Sequence, residues 1–276
     1  MTLLGIGLGL LSAAVFGVAA VVQAQAVRGF ERSPDGLWGF VASSVRDGRT
    51  MMVVAAYLVG FVLHAAAIWL LPLYLAQAMV AMSLPVTAIA SRRVEDDLRP
   101  SGWAAVGLVT LGLVLLSLGA GAPGDVVTDT TFVISLWAGV AALAVASATI
   151  RHLPGPVLGL LAGLGYAGSA ISVRGIGTPV DGVVVVAALA VPSFSLVAFW
   201  LYSLGMHRAA VPSTTASLIV AQTFVPAAVG VALLGDGVRD GWWPGVIVGL
   251  LLATCGAAVL GATRAAAQPE TRSTAA

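Results

Sequence analysis

The chain has 276 residues, of which 59% are hydrophobic and 9% are charged, and its formal net charge is +1. Soluble domains carry about 25% charged residues, so this composition excludes a soluble globular protein and predicts an all-α polytopic membrane protein. A net charge so close to zero gives no indication of nucleic-acid binding, and a single cysteine excludes an internal disulfide.

Nine apolar runs follow one another along the chain, each near the length of about 20 residues that a membrane-spanning helix requires. We predict one transmembrane helix for each run. The first is expected to be a retained helix, because it is longer than the apolar part of a signal peptide. The runs are Leu3–Val27, Met51–Leu71, Leu73–Ser91, Gly102–Gly121, Thr131–Ile150, Pro156–Val173, Gly182–Ser203, Pro212–Leu234 and Pro244–Thr263.

The first connection contains a shorter apolar piece, Leu37–Val45, which cannot span a bilayer and is expected to lie at the membrane interface. Gln23 and Gln25, near the end of the first run, are interpreted as side chains solvated at that interface. We expect one integral membrane domain over residues 1–265. The polar segment 266–276 is expected to be a disordered cytoplasmic tail.

The arginines predict how the helices are oriented. All thirteen basic residues are arginine, and eleven of them lie in the odd-numbered connections or the tail, against two in the even-numbered connections. Basic residues concentrate on the cytoplasmic side of membrane proteins. The chain is therefore expected in the plasma membrane, with its N-terminus outside and its C-terminus in the cytoplasm.

One sequence module occurs twice. Pro85 interrupts the third run and Glu95 follows ten residues later, and Pro226 and Asp236 occur at the same offset in the eighth run. The predicted orientation makes the two modules run in opposite directions, so residues 1–121 and 131–264 approximate an inverted pair. Inverted repeats with interrupted helices are typical of secondary transporters, whose solute sites lie near the middle of the bilayer.

The paired modules resemble those of the drug/metabolite transporter (DMT) superfamily, EamA-like proteins included, in which a proline-bearing helix ends in a short apolar run and an acidic residue. The sequence departs from that pattern at Asp236, where the family more often has Glu. The nine-helix count and the first helix, GLLSAAVFGVAAVVQAQAV, look more like the NIPA-type magnesium transporter branch. The resemblance covers nearly the whole chain and implies a DMT-like inverted-repeat fold and a transport activity.

Acidic side chains are concentrated away from the middle of the predicted spans, since all twelve lie in connections or at helix ends. Mg²⁺ is usually held by one or two carboxylates and several waters, so this distribution disfavours a magnesium site. Carbonyl groups freed at Pro85 and Pro226 are still available to a hydrated ion. His64 is the one ionisable side chain near the middle of a span, where it serves either an interhelical hydrogen bond or the solute pathway.

Polar residues on the third and eighth runs are expected to meet across a central cavity. Glutamine both donates and accepts hydrogen bonds, which suits an uncharged or zwitterionic solute, although glutamines also bind helices to one another. The residues predicted to border the solute pathway are His64, Gln77, Pro85, Thr215, Gln222 and Pro226. Beyond the third run, Arg92, Arg93 and Glu95 form either a cytoplasmic gate or a solvated stop.

No enzyme, metal or cofactor site is predicted, because no catalytic or ligating set occurs at a suitable spacing. We predict a DMT-like secondary transporter or facilitator of a small polar or zwitterionic solute that works by alternating access. Two alternatives stay open: a NIPA-type transporter of Mg²⁺ or another divalent cation, and a non-transporting membrane scaffold. The expected partners are the lipid bilayer and a small-molecule solute, with a homodimer left open.

Overall fold

The computed structural model of the chain describes residues 2–28, 36–70, 79–92, 99–119, 121, 129–149, 152–173, 176–177, 179–235 and 237–265. Apart from one isolated bridge position, the regular structure in these ranges is helical, so the all-α fold is confirmed. The helices are α1 (Thr2–Arg28), α2 (Gly36–Arg46), α3 (Gly48–Leu70), α4 (Ser83–Ser91), α5 (Pro100–Leu118), α6 (Thr130–Thr149), α7 (Gly155–Val173), α8 (Gly182–Arg208), α9 (Val211–Leu233) and α10 (Trp243–Ala265).

Several residues that the sequence singled out lie outside the described ranges. They are Gln77, Arg93, Glu95, Asp236 and the segment 266–276.

Within the described ranges, six helices are long and apolar enough to cross a membrane by length and composition: α1, α3, α6, α7, α8 and α9. Three shorter apolar helices occupy Met79–Ser91, Pro100–Leu116 and Trp243–Gly256. These nine segments coincide with the nine apolar runs of the sequence. The chain is a polytopic membrane protein in outline, while the count of nine spans and the inverted repeat stay predictions.

The outside of the helix bundle is apolar and its inside carries polar groups. Leu4, Val62 and Val145 are between 61% and 66% exposed, whereas Ser12 and Gln23 are at most 1% exposed. A protein in water would favour the opposite distribution, because exposed apolar surface is costly there. In lipid, apolar side chains face the solvent and polar groups must be satisfied inside the protein.

The first part of the bundle is a group of three segments. Helix α1 packs along α3, where the Ser12 hydroxyl donates to the Gly60 carbonyl at 2.8 Å. It also packs along α4, where a side chain added at Gly17 would come within 2.7 Å of Val86. Small residues on α1 therefore allow both neighbours to approach its backbone closely.

The second part of the bundle is a group of three helices with α7 at its centre. Helix α7 packs along both α8 and α9. A side chain added at Gly159 would collide with the Thr214 carbonyl, and one added at Gly163 would collide with the Leu218 carbonyl. Because successive contacts advance in the same direction on both helices, α7 and α9 are parallel. Helix α6 lies outside this group and contacts α8, where the Trp137 indole donates to the Val186 carbonyl at 3.1 Å.

Helices α5 and α10 form a close antiparallel pair. A Cβ atom added at Gly112 would lie 2.5 Å from the Gly249 carbonyl oxygen, and one added at Gly256 would lie 2.7 Å from the Ala105 carbonyl oxygen. The pairing continues beyond the helices, because the Arg239 amide donates to the Gly119 carbonyl at 2.9 Å. Two backbones approach this closely only where a side chain is missing.

The short helix α2 occupies the first connection, where the sequence predicts a piece too short to span. Its 11 residues fall well below the length of a span, as expected. Phe40 is 2% exposed, and its ring centroid lies 5.7 Å from that of Phe199 on α8. On the other side of α2, Trp38 is 82% exposed. The interfacial position of α2 stays a prediction.

The helices contain prolines both in their first turns and in their interiors. The backbone turns at Met82 and α4 begins at Ser83, so Pro85 lies in the first helical turn, where its missing N–H has no intrahelical acceptor to lose. Pro226 lies inside α9 and Pro192 inside α8. The sequence analysis did not single out Pro192.

Candidate functional site

A small cavity of about 80 Å³ lies between the two groups of helices. Three helical segments of the first group (α1, α3 and the segment 79–91) and three helices of the second (α7, α8 and α9) contribute side chains to it. The lining residues are Phe16, Ala20, Tyr57, Val80, Ser83, Thr87, Tyr166, Tyr202, Thr215, Leu218, Ile219 and Gln222. None of these side chains carries a charge.

Tyrosines form much of the cavity wall. Tyr57 comes from α3, Tyr166 from α7 and Tyr202 from α8. The Tyr202 hydroxyl lies 2.5 Å from the Thr215 hydroxyl, so these two groups satisfy each other. The ring of Phe16 stacks on Tyr57 with centroids 5.8 Å apart. The wall thus combines rigid aromatic surface with hydroxyl groups, a combination suited to small polar ligands.

Three polar side chains at the cavity have no hydrogen-bond partner among the described residues. They are Ser83 on α4, Tyr166 on α7 and Gln222 on α9. A polar group shielded from water is costly unless it is paired. These three groups are therefore free to bind water or a solute in the cavity.

A second set of polar side chains lies beside Tyr57. The Gln23 amide donates to the Ser203 hydroxyl at 2.6 Å, and the Tyr57 hydroxyl donates to the Gln23 carbonyl oxygen at 2.8 Å. This Gln23 network links α1 and α3 of the first group to α8 of the second. The interpretation of Gln23 as an interfacial, solvated side chain is wrong, because its side chain is 1% exposed and fully engaged.

Local sequence places Gln222 and Thr215 at the cavity. They lie seven residues apart, about two helical turns, so both point from the same face of α9. Pro226 follows Gln222 by four residues and removes the N–H that would otherwise bond the Gln222 carbonyl. On the opposite wall, the Thr87 hydroxyl donates back to the Ser83 carbonyl at 2.8 Å. The Gln222 carbonyl is therefore left without its helical donor, whereas the Ser83 carbonyl is engaged.

The structure brings together some of the residues predicted for the solute pathway. Thr215 and Gln222 line the cavity, and Pro85 and Pro226 lie on the helices that flank it. His64 is not among the lining residues; it is 9% exposed, and its Nδ1 atom has no hydrogen-bond partner in the described part of the chain. The roles of all these residues in transport stay predictions.

The proposed gate residues are described only in part. Arg92 is exposed at the end of α4, where its backbone N–H donates to the carbonyls of Ile89 and Ala90. Because Arg93 and Glu95 lie outside the described ranges, the gate and the solvated stop both remain open.

The three tyrosines were not among the residues predicted from the sequence to border the solute pathway. The chain has four tyrosines in all, so three of them converging on one small cavity is a strong concentration. A phenol group within an otherwise aliphatic span is the signal that could have found them, because a buried hydroxyl generally needs a polar partner.

Metal-ligating side chains are not grouped in the described part of the chain: it holds no cluster of three or more His, Cys, Asp or Glu residues. A wider groove of about 450 Å³ lies between α1 and α3, but its lining is almost entirely aliphatic. The small cavity, which has hydroxyl and amide groups in its wall, is therefore the candidate site.

No protein-family model, curated protein or solved structure matches this chain. The resemblance to the drug/metabolite transporter superfamily thus rests on the sequence modules alone.

Proposed function

We propose that this protein is a secondary transporter or facilitator that moves a small polar solute through the cavity by alternating access. The observation that carries the proposal is an uncharged cavity, lined by six segments of an otherwise apolar bundle, with three hydrogen-bonding groups that have no partner among the described residues. Polar groups inside a membrane are costly, and they usually mark a solute pathway. A purely structural bundle would pair these groups with each other.

An inverted repeat supports the same proposal. In this assignment α1, α3, α4 and α5 correspond in order to α7, α8, α9 and α10. Helix α1 packs on α3 and α4 as α7 packs on α8 and α9, and α5 pairs with its own counterpart α10. The cavity then lies between equivalent helices of the two repeats, which is where secondary transporters of this architecture bind solutes.

The two-repeat assignment leaves α6 without a counterpart, giving four helices in repeat one and five in repeat two. With the arginine distribution it gives nine spans in the plasma membrane, an external N-terminus and a cytoplasmic C-terminus. A drug/metabolite-transporter-like fold is the family proposal that fits this arrangement, and the short helix α2 is assigned to the membrane interface.

Two glutamines offer a matched test of the proposal. Gln222 faces the cavity without a protein partner, whereas Gln23 makes two interhelical hydrogen bonds. The experiment measures saturable solute flux in liposomes, with a panel of small polar metabolites, zwitterions and Mg²⁺, together with the melting temperature in detergent. Gln222→Leu should lower flux strongly with little change in melting temperature.

Gln23→Leu should instead lower the melting temperature, because an interhelical hydrogen bond in membranes contributes about 0.6 kcal/mol on average and up to about 1.7. The scaffold alternative is supported if no member of the panel crosses faster than in protein-free liposomes. Saturable flux of Mg²⁺ alone would replace the proposal with the divalent-cation alternative. Normal flux by Gln222→Leu would remove the cavity as the site.

A further inference from the structure

We infer that the cavity selects a compact, uncharged solute that carries both hydrogen-bond donors and acceptors, such as urea or a small carboxamide, and excludes ions and zwitterions. The inference rests on the proposed transport function and narrows its solute class.

The size of the cavity sets the first limit. A volume of about 80 Å³ well exceeds the roughly 10–15 Å³ that one water requires, so the cavity has room for several waters or for one small solute. Pockets that enclose drug-sized ligands are several times larger, at about 300 Å³ or more. The bound state therefore suits a molecule far smaller than a sugar or a nucleotide.

The charge of the lining sets the second limit. The described lining residues include no Asp, Glu, Arg or His, and the aromatic rings of Phe16, Tyr57, Tyr166 and Tyr202 occupy much of the wall. An ion or a zwitterion would leave its water shell without gaining a countercharge, which is strongly unfavourable inside a membrane. Aromatic faces attract cations, but this attraction is weaker than the loss of hydration of an unpaired ion.

The unpaired polar groups set the third limit. Gln222 offers an amide N–H₂ and a carbonyl oxygen, and the hydroxyls of Ser83 and Tyr166 each donate and accept. These groups come from α9, α4 and α7, so they reach the cavity from both groups of helices. A urea or carboxamide group also donates and accepts, so it matches the hydrogen-bonding chemistry of each of the three. An apolar solute of the same size would leave them unpaired.

Comparing the influx of neutral and zwitterionic solutes of equal size distinguishes this inference from the alternative that ions or zwitterions are the solutes. The full-length protein in sealed liposomes should give saturable influx of radiolabelled urea and N-methylurea, while glycine, which has as many non-hydrogen atoms as N-methylurea, enters no faster than into protein-free liposomes. Methylammonium should behave like glycine. Entry of glycine or methylammonium, with urea at the protein-free level, would overturn the solute class and leave the transport proposal intact. If no solute enters, both proposals fail.

Conservative variants test the three binding groups. Ser83→Ala, Tyr166→Phe and Gln222→Leu should each lower urea influx about 2- to 10-fold, the factor expected for one net hydrogen bond. Ser169→Ala is the matched control on α7, because the Ser169 hydroxyl lies 3.1 Å from that of Ser195 and does not line the cavity. Urea influx through the Ser169→Ala variant should equal that through the unmodified protein. Full influx by both Ser83→Ala and Tyr166→Phe, in proteins of normal melting temperature, would overturn the assignment.

Discussion

Asp47 shows how one side chain determines where a helix begins. It lies directly before α3, and its carboxylate accepts hydrogen bonds from the Thr50 hydroxyl at 2.6 Å and the Thr50 amide at 2.8 Å. These bonds, with the hydroxyl bond as the largest cause, hold the pKa of the Asp47 carboxyl below its usual value of 3.8. Asp47 therefore acts as the N-terminal cap of α3 and fixes the corner between α2 and α3.

Asp47→Ala should lower the stability of the protein by about 0.5–1 kcal/mol at neutral pH, since an aspartate cap usually contributes about that much. The folded pKa lies below the unfolded one, so the carboxylate stabilises the fold above pH 3.8 and loses that effect as the pH falls through the folded pKa. The melting temperatures of the unmodified protein and of Asp47→Ala are measured in detergent from pH 7 to pH 3. The difference between them should shrink below about pH 4. A gap that does not change with pH would contradict the cap.

Residue patterns anticipated only part of the candidate site. Thr215 and Gln222 could be predicted because they share a face of one proline-containing helix. Tyr166 and Tyr202 each stand out as a phenol in an aliphatic span, but their meeting at one cavity could not be predicted, because they lie on different helices and come together only when α7, α8 and α9 pack. Gln23 was misinterpreted for the same reason. Its position near the end of α1 suggested a solvated side chain, but its hydrogen-bond partners, Tyr57 and Ser203, lie 34 and 180 positions away in sequence.

At the scale of the helices, the pair formed by α5 and α10 depends on missing side chains. Gly112 faces the backbone of α10, where an added Cβ would lie 2.5 Å from the Gly249 carbonyl oxygen. Gly107, on the same helix, has open space around it. Comparing substitutions at the two positions therefore distinguishes the effect of close packing at Gly112 from the effect of replacing any helical glycine.

Gly112→Ala should destabilise the protein by about 1–3 kcal/mol, the usual cost of overpacking, because neither backbone can yield without separating the helices. Gly107→Ala should be neutral or slightly stabilising, since alanine favours a helix by about 0.5–1 kcal/mol over glycine. Melting temperatures of the two variants in one detergent measure the difference. Equal melting temperatures would mean that α5 and α10 do not approach as closely as described.

The positions of the helices followed from apolar run length, because a span has a minimum number of residues. Their ends and bends were harder to predict. Helix α8 was expected to end at Ser203 but continues to Arg208. The added turn still packs closely on α7, because a Cβ atom added at Gly205 would lie 3.0 Å from the Gly155 carbonyl oxygen. Hydropathy falls near His207, whereas helical hydrogen bonding and packing on α7 continue. The turn at Met82 likewise depends on backbone geometry rather than on apolarity.

At the scale of the whole molecule, the arrangement is two similar groups of helices around one uncharged cavity. The Gln23 network joins α1 and α3 to α8 beside Tyr57, so it links the two groups at one edge of the cavity. In the proposed mechanism this network closes one route to the cavity, and movement of one group against the other opens it. The cavity itself then faces each side of the membrane in turn.

Access to the cavity from both sides tests this central claim most directly. The single native cysteine, Cys255, is exposed, so a Cys255→Ala background removes the only competing thiol. In that background Ser83→Cys adds a thiol at the cavity, and Ser172→Cys adds one at a buried site on α7 that does not line it. A small, uncharged thiol reagent is applied outside sealed vesicles of either orientation, which contain a membrane-impermeant thiol to consume any reagent that crosses the lipid. The account predicts reaction of Ser83→Cys from both sides, protection by the transported solute, and no reaction of Ser172→Cys. Reaction of Ser83→Cys from one side only, or from neither, would contradict it.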